Sequence, residues 1–94
     1  MKFSETDSLD KNEDILSSKI DDEIVMMSID HGKYYGLDSI GSRIWELLDQ
    51  TRTLTEIIEI LTKEFDVSKE QCSQDCYSFI DELIKKKIIF VRHD

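Results

Sequence analysis

The sequence predicts an α+β domain of winged helix-turn-helix-like topology, a three-stranded antiparallel sheet followed by three helices. Three observations carry that expectation. Alternating apolar residues with hairpin chemistry fill the stretch from Ile15 to Leu37. Capping signals at Asp38, Thr53 and Ser68 then open three amphipathic stretches. Strands first and helices after is the order of a small sheet with helices packed on one face.

Residues 1–14 carry Glu5, Asp7, Asp10, Glu13 and Asp14 against Lys2 and Lys11, with scattered apolar positions and no period. They read as an acidic disordered tail, leaving residues 15–94 as the folded domain. A first strand is expected from Ile15 to Ile20. A second, from Glu23 to Ile29, sets Val25, Met27 and Ile29 against Ile24 and Met26, apolar on both faces as a central strand is. Asp30-His31-Gly32 supplies a three-residue hairpin, with Gly32 free to take a positive φ. The returning strand, Lys33 to Leu37, sends Tyr35 and Leu37 to one side and Tyr34 to the other.

Asp38-Ser39 caps a first helix that runs to about Gln50 with Ile40, Ile44, Trp45, Leu47 and Leu48 on its apolar stripe. Thr53-Leu54-Thr55-Glu56 fits a capping box, and Leu54, Ile57, Ile58, Leu61 and Phe65 follow at helical spacing. Ser68-Lys69-Glu70-Gln71 fits the same box ahead of Cys72, Cys76, Phe79, Ile80, Leu83 and Ile84, a third helix reaching Lys87. The lysines at 85–87 suit the negative end of that helix dipole, and Ile88 to Val91 suits a short closing strand.

With 94 residues, there is room for one modest core. No apolar run approaches the roughly 18 residues a membrane span needs, and the amino terminus lacks the order of a secretory signal, so the expected location is cytoplasmic. A net charge of −9 repels phosphate backbones and anionic membranes, which excludes nucleic acid and membrane as partners. A winged-helix DNA reader is the sharper rival on topology. Its would-be recognition helix, however, carries Glu70, Asp75, Asp81 and Glu82.

Chemistry is equally sparse. Cys72 and Cys76 with His31 and His93 offer the donor types of a zinc site, yet both thiols fall on an apolar stripe, and packed, free thiols are the simpler reading. Neither histidine has a sequence context that sets it beside a nucleophile, and no glycine loop is built to cradle phosphate. No enzyme activity, metal or cofactor is expected. What remains is a sheet edge. If Lys33 to Leu37 is that edge, an extended peptide can add to it in a groove walled by the third helix; the bland reading is an edge guarded by Lys33 and the tail.

The run Gly32-Lys33-Tyr34-Tyr35-Gly36-Leu37-Asp38-Ser39-Ile40-Gly41-Ser42-Arg43-Ile44-Trp45-Glu46-Leu47-Leu48-Asp49, with Arg52-Thr53-Leu54-Thr55-Glu56-Ile57 after it, resembles the PqqD-like family, the RiPP recognition elements. The resemblance spans roughly residues 20–91. Gly-x-Tyr-aromatic-x-Leu-Asp ahead of Trp-Glu-Leu-Leu is similar to the stand-alone members of lasso peptide biosynthesis. Asp38 stands where Asn is frequent, and Ser39-Ile40-Gly41 replaces a more alanine-rich helix start.

That resemblance implies a function that composition does not supply. The chain would bind the leader segment of a ribosomally made precursor peptide as an added antiparallel strand and deliver it to a separate leader peptidase. The implied enzymes are a transglutaminase-like cysteine peptidase and an asparagine-synthetase-like, ATP-dependent cyclase. The implied leader-binding residues are Lys33, Tyr34, Tyr35, Gly36 and Leu37 on the strand and Cys72, Cys76, Phe79, Ile80 and Leu83 on the third helix, with Leu37, Ile44, Trp45 and Leu48 in the core. The alternative within the family is a peptide chaperone for a radical-SAM modifying enzyme.

Overall fold

A computed structural model describes residues 3–92. Its elements are β1 (Ser8–Lys11), β2 (Ile15–Ile20), β3 (Glu23–Ser28), β4 (Lys33–Gly36), α1 (Ser39–Leu47), β5 (Arg52–Thr53), α2 (Leu54–Glu64), α3 (Lys69–Lys85) and β6 (Ile89–Arg92). Two antiparallel sheets form, one in the order β2-β3-β4 and a smaller one in the order β5-β1-β6. The α+β architecture is the one expected; the second sheet is an addition to it.

In the first sheet β3 is central, and Ile24, Met26 and Ser28 point inward and are buried. Leu16, Met27 and Tyr34 lie in one row across the opposite face, where Leu16 and Tyr34 are exposed. The β3–β4 loop is one residue longer than expected. Ser28 pairs with Lys33, so residues 29–32 make the connection, with Ile29 exposed and Gly32 at φ 61. The His31 ring nitrogen Nδ1 meets the buried Ser28 hydroxyl at 3.2 Å across the loop.

Each helix starts at its expected cap. Asp38 Oδ1 accepts the Gly41 N–H at 2.7 Å, and Thr53 and Glu56 complete the reciprocal capping box. At α3 only half the box forms: Ser68 Oγ accepts the Gln71 N–H, while the Gln71 side chain turns outward to donate to Asp75 Oδ1 at 2.9 Å. The helix α1 stops at Leu47, short of Gln50, because Arg52 Nε donates to the Leu47 carbonyl at 2.8 Å and leads the chain into β5.

The end of α3 is a Schellman motif. Ile88 N–H donates to Leu83 O at 2.9 Å and Lys87 N–H to Ile84 O at 3.0 Å. That geometry puts Lys87 at φ 62, a left-handed conformation that suits glycine and strains a residue with a side chain.

The acidic segment expected to be a disordered tail is ordered from Phe3 onward. Ser8–Lys11 is the central strand of the second sheet, paired with β5 on one side and β6 on the other. Three anchors, two apolar and one cationic, explain why its charge does not keep it free. Leu9 is fully buried, and Phe3 stacks on Tyr77 with ring centroids 4.4 Å apart. The Tyr77 hydroxyl donates to Phe3 O at 2.9 Å, and Lys11 lies 4.3 Å from the Trp45 ring centroid. The carboxylates at 10 and 49 are used in ion pairs with Arg92 and Lys11. Asp14 and Glu13 stay exposed, so composition and order part company within one segment.

One core joins these layers. It includes Leu9, Met26, Ile44, Trp45, Leu54, Ile57, Leu61, Ile80, Ile88 and Ile89. Among the described residues, no helix is long and apolar enough to cross a membrane.

Two outcomes follow from this packing. Leu9→Ala removes a fully buried side chain, and chemical denaturation should show about 2–5 kcal/mol lost. An unchanged midpoint would mean the segment contributes no packing. Lys87→Gly should gain about 0.5–1 kcal/mol in the same assay by relieving the left-handed strain.

Candidate functional site

The strand β4 is paired on one side only, with β3, and is the edge of its sheet. Leu37 N–H donates to Ile24 O at 2.9 Å, which fixes the phase of the ladder. Backbone groups of an antiparallel strand alternate direction, so Lys33, Tyr35 and Leu37 turn theirs toward β3, and Tyr34 and Gly36 turn theirs outward. Two N–H and two C=O groups therefore stand ready on the open edge. At Gly36 a Cβ would meet nothing within 4 Å, so the strand is uncovered there.

The side chains of β4 divide the other way. Tyr35 and Leu37 face inward, half-buried and buried, while Tyr34 is 73% exposed. Lys86 Nζ sits 5.4 Å from the Tyr35 ring centroid, and Phe79 lies against Gly41, just past the carboxyl end of β4. The helix α3 thus runs alongside the edge, antiparallel to β4. Asp75, Phe79, Glu82 and Lys86, spaced four, three and four apart, share one stripe of that helix. Lys86 donates to Glu82 at 3.1 Å.

That stripe lies one position round the helix from the one expected from sequence. Of the five expected wall residues, Cys72, Cys76, Ile80 and Leu83 are buried, at 6%, 2%, 0% and 4% exposure, and only Phe79 is half-buried. Periodicity finds the face a helix turns to the core; the flanking stripe, Phe79 among three charged residues, is what borders the β4 edge. Asp75 and Lys86 lie on that flanking stripe, outside the expected set, for that reason. Ile40, expected on the apolar stripe of the first helix, is 38% exposed and stands at the groove mouth.

At the carboxyl end of β4 the edge runs into a cavity of about 220 Å³ lined by Asp38, Ile40, Gly41, Ile44, Asp75, Cys76 and Phe79. Gly41 is needed for its shape. A Cβ there would stand 3.3 Å from Phe79 Cζ and 3.2 Å from Asp38 Oδ1, closer than nearly all real contacts. A larger concavity of about 830 Å³ lies elsewhere, against β1 and the start of β2, open and lined by Asp10, Glu13, Asp14, Asp49 and Phe90 among others.

Cys72 and Cys76 are free thiols with sulfurs 3.7 Å apart. Burial, with the second thiol beside it, pushes the Cys76 thiol up to about 12, so it stays protonated and a poor nucleophile. Among the described residues no three His, Cys, Asp or Glu side chains are grouped to hold a metal, and His93 lies outside those residues.

Comparisons with known proteins bear on this geometry. The family model of coenzyme PQQ synthesis protein D (PqqD) matches residues 23–89. The chain is similar to TbiB1, solved in complex with the TbiA(beta) leader peptide, with a TM-score of 0.82 and 32% identity over 90% of this chain and 99% of that one. A lasso peptide synthetase B1 complexed with the leader peptide superposes with a TM-score of 0.75 at 19% identity, over 87% of this chain and 96% of that one, which speaks to fold alone. No curated protein sequence matches.

The raised thiol gives a pH dependence with a definite sign. A neutral group whose folded pKa exceeds its unfolded value contributes stability below the unfolded pKa and loses it as pH rises towards the folded one. Thermal melts from about pH 8 to about pH 11 should therefore fall more steeply for the wild type than for Cys76→Ala. Parallel slopes would refute a buried neutral thiol.

Proposed function

The chain belongs to the PqqD family, and on that footing we propose that it captures the leader segment of a ribosomally made precursor peptide, of the lasso class, by strand addition to β4. The observation that carries the reading is the free edge at Tyr34 and Gly36 running beside the stripe of α3, in a chain 32% identical to one solved with a leader peptide. The leader runs antiparallel to β4 and accepts and donates up to four hydrogen bonds at those two residues.

Those bonds set register more than affinity. Each contributes about 1 kcal/mol net, while ordering a flexible segment costs about 1–2 kcal/mol per residue, so backbone pairing roughly cancels. Apolar anchors decide binding, at about 1.5–3 kcal/mol per buried side chain. The half-buried Phe79 and the cavity beside it are the place for one, with Cys76, Ile80 and Leu83 backing the wall from the core. Captured in this way, the leader is presented to a separate transglutaminase-like cysteine peptidase, and an asparagine-synthetase-like cyclase closes the ring afterwards. This chain supplies affinity and register to both and performs no chemistry itself.

A nitrogen-15 NMR titration with a synthetic lasso-precursor leader peptide tests the mode. The amide signals of Tyr34 and Gly36 should shift most, along with those of Asp75, Phe79 and Lys86. Phe79→Ser should weaken binding about tenfold or more by calorimetry, in line with one lost anchor. Shifts confined to β6 or α2, with β4 silent, would sink strand addition.

A further inference from the structure

The cavity at the end of β4 is not neutral. Its floor is apolar, from Ile40, Gly41, Ile44, Cys76 and Phe79, and its two remaining lining residues are Asp38 and Asp75. Both are exposed, and among the described residues neither makes an ion pair. Each carboxylate already accepts one hydrogen bond, Asp38 from the Gly41 N–H and Asp75 from Gln71 Nε2, which fixes its position and leaves acceptor capacity facing outward. The positive end of the α1 dipole lies beside Asp38 and offsets part of its charge.

The other end of the groove differs. There Lys33 begins β4 and Lys86 lies over Tyr35, with Glu82 bonded to Lys86 and Asp30 in the adjoining loop. The groove is thus anionic at the carboxyl end of β4 and close to balanced at its start. A strand added antiparallel puts its own amino-terminal half at the anionic end.

We propose that the cavity bounded by Asp38, Asp75 and Phe79 is an anchor site for a lysine or arginine side chain in the amino-terminal half of the bound leader. The aliphatic stem of such a residue packs on Phe79, Ile40 and Ile44, and its cationic tip reaches the two carboxylates at the mouth. The pair of charges also selects direction and register. A leader shifted by one residue turns that cation to the other face of the added strand, away from both carboxylates. The inference rests on strand addition as the binding mode and adds to it the chemistry of one leader position.

A phage-displayed library of random ten-residue peptides, selected on the wild-type chain and on Asp38→Asn/Asp75→Asn, tests it. Asn caps a helix as well as Asp does, so the variant keeps α1. Wild-type selections should be enriched in lysine or arginine at one position amino-terminal to the apolar residues, and variant selections should lose that enrichment. Calorimetry on one selected peptide completes the test. Replacing its lysine with norleucine should weaken binding roughly three- to fivefold on the wild type and leave the variant unaffected. Selected peptides that shift the Tyr34 and Gly36 amides yet show no cation preference would overturn the anchor and leave strand addition standing. Peptides that leave those amides unshifted would overturn both.

Discussion

One buried hydroxyl holds the edge strand against the helical layer. At the last rung of the β3–β4 ladder, Leu37 N–H donates to Ile24 O, but the reciprocal bond is not made directly. Ser42 Oγ, in the first turn of α1, accepts the Ile24 N–H at 2.8 Å and donates to Leu37 O at 3.3 Å. A side chain of α1 is thereby inserted into the sheet as a relay. Ser42 is 2% exposed, so none of these groups can turn to water, and each left unpaired would cost about 1–3 kcal/mol. The relay fixes where α1 starts, hence where Asp38 and Gly41 sit, hence where Phe79 of α3 comes to rest.

The architecture of the edge follows from that constraint. Inward residues of β4 are held by the core, so Tyr34 and Gly36 are left to face outward with their backbone groups unpaired. Open edges invite promiscuous pairing, and short strands and charge restrain it. Here β4 has four residues, opens on Lys33 and ends against Asp38. A strand added there as proposed would have to fit between two charged ends and beside a helix, a restriction set without a deep pocket.

Much of the fold was legible because local chemistry sufficed to define it. Asp38, Thr53 and Ser68 each cap the helix they were expected to cap, and Gly32 takes the positive φ its loop requires. The tail was not legible. Its order depends on Leu9, Phe3 and Lys11 meeting Val91, Tyr77 and Trp45, partners between 34 and 82 residues away, and no local signal announces them. The edge strand was readable from its place in the hairpin. The groove wall was only half readable, since an apolar stripe marks what a helix buries and not what it shows. The family match, over residues 23–89, likewise leaves β1 and β2 outside its bounds.

The placement of β1 also sets an order of assembly. Leu9 pairs with Val91, so the second sheet joins the first strand of the chain to its last, the longest closure the fold makes. During synthesis the strands of the β2-β3-β4 sheet emerge with their strand partners, while β1 meets β5 early and β6 only after α3 has been made. The emergence of β6, and not the formation of the β4 edge, is the event that closes the second sheet. Until then β1, with Leu9 in it, lacks one of its two neighbours, and a chain cut before β6 keeps β4 on β3 while losing the clasp that holds β1 from its far side.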